Sequence, residues 1–180
     1  MFFGIFSRGG VPPSPRFRRR GMIVRDRNDM EENNVEIVVV KTDAELKACL
    51  AVRSRVFVEE QSVPPELEKD AFDASPAACT HVLAKAEGIP VGTGRWIPYK
   101  EADTAKIQRV AVVPEYRGRG VGARLIEALE RDARQAGMKF AVLDSQCHAE
   151  PFYRRLGYVT ISEQPFEEAG IMHVRMKKRL

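Results

Sequence analysis

The residues of this sequence best suited to chemistry form a glycine-rich turn, Arg117-Gly118-Arg119-Gly120-Val121-Gly122. An apolar, β-branched run at 107–113 precedes the turn and predicts a buried strand, which Pro114 ends because it has no N–H for a sheet ladder. A helix follows, with apolar residues at helical spacing and a stop at Gly137: Val121, Leu125, Leu129, Ala133 and Ala136. Glycine lets a ligand approach the backbone, and the free N–H groups and dipole at a helix start favour an anion. With Arg117 and Arg119 beside it, the turn predicts a phosphate-binding site.

One candidate ligand is a dinucleotide, because Gly118-x-Gly120-x-x-Ala123 fits a relaxed dinucleotide-binding fingerprint and Asp144 ends the next predicted strand. Three features argue against it. Four residues separate the strand from the fingerprint, about half of the chain precedes it, and only 36 residues follow Asp144. That remainder is too short to complete a doubly wound sheet. A nucleoside-triphosphate loop is excluded because no Gly-Lys-Ser/Thr follows the glycines.

The turn also resembles the pyrophosphate-binding motif of the GNAT superfamily of N-acetyltransferases, Gln/Arg-x-x-Gly-x-Gly/Ala, which Arg117, Gly120 and Gly122 match. In that family the motif lies between the fourth strand and the third helix and grips the pyrophosphate of acetyl-CoA. The resemblance therefore implies acetyl-CoA as the cosubstrate, with no metal.

A second signature of the same family follows at the expected distance. Its members here are Gln146, Ala149, Phe152, Tyr153, Gly157 and Tyr158. Two signatures in the right order extend the resemblance over about residues 35–180. They imply the GNAT acyl-CoA N-acyltransferase fold, an α/β (α+β) domain with a central mixed, mostly antiparallel sheet flanked by helices. The residues implied to bind the cosubstrate are Val110, Ala111, Val112, Arg117, Gly118, Arg119, Gly120, Val121, Gly122, Ala123, Gln146, Phe152 and Tyr153.

An acidic segment at 59–73 surrounds a Pro-Pro break, and a solvated acidic loop is its simplest interpretation. Its spacing also resembles a generic bacterial branch of small GNAT acyltransferases and the acyl-homoserine-lactone synthases, in which this region shapes the acceptor pocket. An acidic pocket would attract a cationic amine. The segment from Phe166 to Met176 resembles the same branch, although His173 is equally compatible with a strand histidine bonded to a backbone group. The residues implied to contact the acceptor are Arg53, Phe57, Glu60, Asp73, Glu168 and His173.

Transfer of an acetyl group from a thioester to an amine needs a neutral amine, a polarised carbonyl and a proton for the departing thiolate. By the resemblance, Tyr153 donates that proton, and a simple packing role is the alternative. A backbone N–H of the strand at 110–112 polarises the carbonyl. The group that takes the proton from the amine stays open among five candidates, with Glu60 as the first choice: Glu60, Asp70, Asp73, Glu168 and His173.

Composition limits the class of protein. The 180 residues are 44% hydrophobic and 30% charged, which predicts one globular domain without a membrane-spanning segment. The net charge of +4 comes mostly from residues 1–34, where seven arginines face four acids, so it gives little support for a nucleic-acid partner. The three cysteines are widely spaced, which predicts neither a disulfide framework nor a zinc site and fits a reducing compartment.

The first 34 residues combine arginine with glycine, proline and serine and have no acid before Asp26. A disordered basic tail is one interpretation and an organelle transit peptide is another, while a start at Met22 would make part of the tail artefactual. The predicted location is cytoplasmic, or mitochondrial if the tail is a transit peptide. The predicted domain covers 35–180.

The remaining pattern predicts the elements around the two signatures. A strand at 35–40 leads to a helix that starts at Thr42 with Glu45 as a capping box, and a hairpin covers 80–86 and 91–98. Gly92 and Gly94 indicate a bulge or a close backbone approach. His81, within the first hairpin strand, is interpreted as a core histidine. A strand at 139–145, a helix at 149–156 and a final hairpin of 158–163 with 171–177 complete the domain.

The favoured function is an acetyl-CoA-dependent N-acetyltransferase acting on a primary amine of a small molecule or a protein. The alternatives are an acyltransferase with another acyl donor and a non-catalytic CoA-binding module that regulates a partner. The acceptor stays open because a fold does not determine its substrate. The oligomeric state is also open, with a homodimer among the alternatives.

Overall fold

The computed structural model describes residues 35–180, so the predicted basic tail at 1–34 lies outside the described residues. The strands are β1 (Val35–Val39), β2 (Thr80–Ala86), β3 (Ile89–Pro98), β4 (Thr104–Val112), β5 (Phe140–Gln146), β6 (Val159–Thr160), β7 (Phe166–Glu168) and β8 (Ile171–Arg179). The helices are α1 (Asp43–Arg53), α2 (Pro65–Glu68), α3 (Val121–Gln135) and α4 (Glu150–Arg155). A π-helical segment, Ser54–Glu60, continues α1. Short 3₁₀ turns lie at Ala71–Asp73, Pro114–Tyr116 and Cys147–Ala149.

The strands form a single sheet in the order β1-β2-β3-β4-β5-β8-β6, with β7 paired to β8. Every pair is antiparallel except β4 with β5, which confirms the mixed, mostly antiparallel sheet. The parallel pairing covers only Thr104–Lys106 of β4 and Phe140–Val142 of β5. Beyond these residues the two strands separate, and the gap that they leave is the feature on which the site depends.

Helix α3 packs on one face of the sheet, where two glycines of β3 leave room for it. A Cβ atom added at Gly92 or Gly94 would lie 3.0 Å from the side chain of Leu125 or Leu129, respectively. Both leucines are fully buried. The glycines therefore mark a close approach of helix to strand, which is one of the two expectations from the sequence.

Helix α1 covers the opposite face over β2 and β3. Thr42 and Glu45 form the predicted capping box at its start. Leu46 and Cys49 pack against Leu83 of β2 in a small buried cluster. His81 is buried as predicted, and its Nε2 lies 3.0 Å from the carbonyl oxygen of Phe72.

The bulge lies in β4, opposite the glycines of β3. Thr93 pairs with Ala111 and Arg95 with Gln108, so two residues of β4, Arg109 and Val110, stand opposite one of β3. Arg109 has a φ of 54°, in the left-handed region that a residue with a side chain adopts only at a cost in energy. A bulge bends its strand and interrupts the ladder, so β4 turns away from β5 at this point.

The C-terminal hairpin differs from the predicted one. Residues 166–168, expected to form the loop, are strand β7, and β6 is only two residues long. Phe166 pairs with His173 and their rings stack, while Ala169 and Gly170 close the turn with φ values of 51° and 78°. Two consecutive residues with positive φ form a tight two-residue hairpin turn. The residues directly before this turn therefore pair with β8 as a strand and are not part of a loop.

Candidate active site

The gap between β4 and β5 contains a cavity of about 910 Å³. Its two walls are the bulged part of β4 and the end of β5 that is paired with β8 but not with β4. Near the start of α3 it is lined by Val112, Arg117 and Tyr153, and near α1 by Gln108 and Arg109 among others.

The glycine-rich turn leads from Arg117, which lines this cavity, to the start of α3. The following predicted residues, Gly118 to Ala123, are not among those that line it. Gly118 and Gly120 have φ values of 76° and 77°, and no side chain of the described residues caps the helix. Gly122 lies against the ring of Phe152, since a Cβ there would be 3.2 Å from Cζ of that ring. The turn therefore has the open helix start, the flexible backbone and the close packing that an anion site needs.

The two arginines of the turn, Arg117 and Arg119, make different contacts. Arg117 lines the cavity and donates from Nε to the carbonyl oxygen of Val112 at 2.9 Å. It also donates to both carboxylate oxygens of Glu60, at 2.8 and 2.6 Å. The guanidinium of Arg119 instead lies over the ring of Tyr116, 5.2 Å from its centroid.

Glu60 thus belongs to an ion pair. The hydrogen bonds from Arg117 lower the pKa of Glu60 below its ordinary value. A carboxylate with a lowered pKa binds a proton weakly, so this geometry argues against Glu60 as the general base.

Tyr153 extends from α4 to the cavity wall and is half-buried. Its ring meets the rings of Phe152 and Tyr158 edge to face, with centroids 4.9 and 5.9 Å away. Burial raises the pKa of Tyr153 to about 12, so the hydroxyl keeps its proton at neutral pH. None of residues 35–180 forms a hydrogen bond with this hydroxyl, and it is free to donate to a ligand.

Gln146 ends β5 at the cavity and donates to the side-chain oxygen of Gln61 at 2.8 Å. This bond joins that end of β5 to the end of the π-helical segment. Phe152 packs behind the glycine turn and does not line the cavity. The predicted residues Val110, Ala111 and Val112 do line it, as does Phe57.

The acids of the 59–73 segment do not form the open acidic pocket that would attract a cationic amine. Asp73 accepts from Arg53 at 2.6 and 2.9 Å and from Arg95 at 3.0 Å. Arg95 also pairs with Asp70, and Arg53 with Glu68. Burial alone would raise the pKa of Asp73, but the hydrogen bonds from Arg53 and the neighbouring charges lower it to about 2.

Arg53 and Asp73 therefore do not line the cavity, contrary to the expectation that they contact the acceptor. The side chains of both are more than nine-tenths buried, at 1% and 4% exposure. Opposite charges in a poorly solvated place pair with each other, because an unpaired charge there would be costly. Their ion pairs join Asp73, in the segment after the π-helical turn, to α1 through Arg53 and to β3 through Arg95.

The C-terminal hairpin contributes Glu168 and His173 to the cavity wall. Nδ1 of His173 lies 2.8 Å from the carbonyl oxygen of Ile171. Because a carbonyl can only accept, Nδ1 carries the hydrogen, and Nε2 of the neutral ring then has a free lone pair. His173 thus makes the backbone contact expected of a strand histidine and also lines the cavity, while its role as a base or substrate contact stays a prediction.

Several cavity residues were not among the predicted site residues. Asp144 accepts from Arg175 at 2.7 and 3.1 Å, and Lys106 lies 2.8 Å from the same carboxylate. Arg109 and Gln61 also line the cavity. Strand alternation was the only available signal for Lys106 and Asp144, and the bulge that directs Arg109 has no sequence pattern of its own.

No helix within residues 35–180 is long and apolar enough to cross a membrane. No group of three or more His, Cys, Asp or Glu side chains in the same range is arranged to hold a metal ion.

Known proteins are similar to this chain in sequence and in architecture. Residues 28–180 match the family model described as an acetyltransferase (GNAT) domain. The Bacillus subtilis protein named uncharacterized N-acetyltransferase YjcF is 36% identical over 80% of this chain and 99% of its own length. A putative N-acetyltransferase from Lactobacillus plantarum has a crystal structure that superposes with a TM-score of 0.74 at 29% identity, over 82% of this chain and 99% of that one. Escherichia coli ElaA superposes with a TM-score of 0.71 at 25% identity, over 81% and 99% of the two chains.

The matched family, the relatives and the cavity at the splayed strands agree with one another. The resemblance that the two motifs carry is thereby confirmed. This chain belongs to the GNAT acetyltransferase family and is an acyltransferase that takes its acyl group from an acyl-CoA.

Proposed function

We propose that this protein transfers an acetyl group directly from acetyl-CoA to a primary amine. The observation that carries the proposal is the cavity between β4 and β5, which is lined both by Arg117, just before the uncapped start of α3, and by Tyr153. The helix start suits the pyrophosphate of the donor, and the separated strands suit its extended arm. A single cavity in which donor and acceptor meet supports direct transfer, without an acylated enzyme.

The donor is proposed to lie along the bulged part of β4. The residues proposed to hold its pyrophosphate are the turn from Arg117 to Ala123, with Gln146 and Phe152 supporting the neighbouring wall. Arg117 exchanges Glu60 for a phosphate when the donor binds, because both anions use the same guanidinium edge. A backbone N–H of the 110–112 segment, which the bulge partly frees from the sheet ladder, polarises the thioester carbonyl.

The reaction forms one C–N bond and breaks one C–S bond. The acceptor enters as an ammonium ion and loses one proton before attack and a second as the amide forms. One of these protons reaches the solvent. Tyr153 gives its own proton to the thiolate of CoA, and the second proton of the amine restores the Tyr153 hydroxyl, so that CoA leaves as the thiol. The raised pKa of Tyr153 supports this role, because the hydroxyl is protonated when the thiolate leaves.

We assign the removal of the amine proton to His173, in place of Glu60. His173 lines the cavity with Nδ1 bonded to a backbone carbonyl, so Nε2 can accept a proton directly or through water. Glu168 lies on the same hairpin and forms no ion pair within residues 35–180, and we propose that it attracts the ammonium form of the acceptor.

The test is a turnover assay that detects the free thiol of CoA, run against polyamines, aminosugars, amino acids and peptides with free N-termini. Selective turnover of one class supports the proposal. Binding of acetyl-CoA by calorimetry without turnover of any amine would favour a different acyl donor or a CoA-binding module. Absence of acetyl-CoA binding would contradict the role proposed for the glycine turn.

A further inference from the structure

Most of the carboxylates in and around the cavity are already paired with arginine or lysine. Three acids of the 59–73 segment are paired with buried arginines, Glu68 with Arg53 and both Asp70 and Asp73 with Arg95. Asp144 is shared by Arg175 and Lys106, which together outnumber it in charge. Among the carboxylates that line the cavity, only Glu168 forms no ion pair within the described residues.

Arg109 lies at the bulge between this cluster and the cavity, and its charge is poorly compensated. It donates to two backbone carbonyls, those of Glu68 and Leu67, at 3.1 and 3.2 Å, and is 3.7 Å from Asp70. Burial first, and then repulsion by Arg95 and Arg53, lowers the pKa of Arg109. The α1 end of the cavity therefore favours an added negative charge.

A surface with the same preference extends from this end of the cavity. We call it the basic face and define it by four side chains: Lys106 of β4 with Arg175, Lys177 and Arg179 of β8. Alternate residues of a strand share a face, and Arg175 and Lys177 stand opposite Asp144 and Val142 of β5. The acids on this face are Asp144, Glu101, which is 2.8 Å from Lys177, and Glu168, which pairs with Ile171 at the start of β8. Four cations against three acids leave the face positive.

The basic face is continuous with the cavity and open to solvent. Lys106 and Asp144 belong to both. The side chains of Arg175 and Lys177 are 33% and 28% exposed, and Arg179 is more exposed still. From His173 at the cavity to Arg179, six residue steps of a strand cover about 20 Å. A small ligand is normally held in a concave pocket, whereas an open strip of this length suits an extended chain.

On the basis of the proposed acetyltransferase function, we infer that the acceptor is the amino group of a peptide whose following residues are acidic. The amino group lies in the cavity between Glu168 and His173. The carboxylates of the peptide lie along the basic face, where Lys106, Arg175, Lys177 and Arg179 attract them. The residues that follow the amino group thus carry the opposite charge to the cationic acceptor that the acidic 59–73 segment suggested.

The test compares three peptides that differ only after an unblocked N-terminal alanine, with a run of glutamates, of glutamines or of arginines. Each has one amine, and release of the CoA thiol reports its acetylation. We expect kcat/KM to be highest for the glutamate peptide, by about tenfold over the arginine peptide at low salt, and the ratio to shrink as salt is added.

Charge reversal at the far end of the basic face separates docking from chemistry. The double variant Lys177→Glu and Arg179→Glu should lose the preference for the glutamate peptide and leave the KM for acetyl-CoA unchanged, since neither residue lines the cavity. Arg131→Glu is the matched control, because Arg131 is exposed on α3 on the other face of the sheet. It should keep the preference.

Each result has a definite meaning. Equal turnover of the three peptides, preference for the arginine peptide, or better turnover of free glutamate than of any peptide overturns the inference but leaves the acetyltransferase function standing. A preference that the double variant retains also overturns it. If acetyl-CoA neither binds nor turns over with any amine, the proposed function itself fails and the inference falls with it.

Discussion

Glu60 and Arg117 face each other across the donor end of the cavity and form a two-pronged ion pair, with O–N distances of 2.8 and 2.6 Å. Glu60 ends the π-helical segment, and Arg117 begins the glycine-rich turn. The pair orients the arginine beside the helix start and also occupies the edge that would meet a phosphate. In the proposed mechanism Glu60 therefore competes with the donor for Arg117, and its lowered pKa makes it a weak base.

Substitution of each partner separates these roles. Arg117→Gln should raise the KM for acetyl-CoA about tenfold, the scale of one charge-assisted contact, with little change in kcat. Glu60→Gln should keep kcat near the wild-type value and lower that KM, because the guanidinium is no longer shared. Arg55→Gln is the control, since it breaks the neighbouring Arg55–Glu115 pair outside the motif. A large loss of kcat in Glu60→Gln would restore this residue as the base.

Substitution of the glycines that flank helix α3 separates the cost of backbone strain from the loss of donor binding. Gly120 and Gly137 have φ values of 77° and 87° at opposite ends of the helix, and neither has a neighbour within 4 Å of an added Cβ. Alanine at either position should reduce the free energy of unfolding by about 1 kcal/mol. Only Gly120→Ala should also raise the KM for acetyl-CoA. Equal KM values in the two variants would argue against a donor at the turn.

The role of His173 can be tested by removing its basic nitrogen. His173→Gln keeps a polar side chain on β8 but has no nitrogen that accepts a proton, so it should lose about a hundredfold in kcat. The KM for acetyl-CoA serves as the internal control and should not change. A kcat near the wild-type value in the variant would assign the removal of the amine proton to another group.

The buried cluster around Asp73 should show its own pH dependence, in stability. The pKa of Asp73 is lowered from 3.8 to about 2 in the folded protein. A lowered carboxyl pKa stabilises the folded state above about pH 4, and this stabilisation is lost as the pH falls towards 2. Asp73→Asn should therefore lower the free energy of unfolding at pH 7 by about 2 kcal/mol and by much less near pH 2.

Asp103→Asn is the matched control for this cluster. Asp103 pairs with Lys139 at 2.7 Å, but both side chains are at least half exposed. Solvent screens such a pair, so its loss should change stability by less than about 1 kcal/mol at either pH. A similar response of the two variants, followed by urea denaturation, would show that the Asp73 cluster contributes no more than a surface pair.

The sequence predicts correctly those elements of the fold that are determined by residues close together in the chain. The helix from Val121 ends near Gly137, and the hairpin of β2 and β3 forms where the strand pattern placed it. The acids of the 59–73 segment could not be assigned in this way. Arg53 and Arg95, which neutralise Asp73, come from a helix and a strand that are distant in sequence, and a sequence of charges does not say which ones will pair. The same applies to Arg109, whose direction depends on a bulge that forms only against the glycines of β3.

The most direct test of the proposed mechanism is a single-turnover reaction of wild-type protein and Tyr153→Phe, with acetyl-CoA and the glutamate peptide. Calorimetry gives the affinity for acetyl-CoA in the same samples, and Tyr99→Phe is a control for the loss of a hydroxyl outside the cavity. We predict that all three bind acetyl-CoA equally and that only Tyr153→Phe loses rate, by about a hundredfold. Full transfer by Tyr153→Phe, or wild-type protein that does not bind acetyl-CoA, would contradict the mechanism.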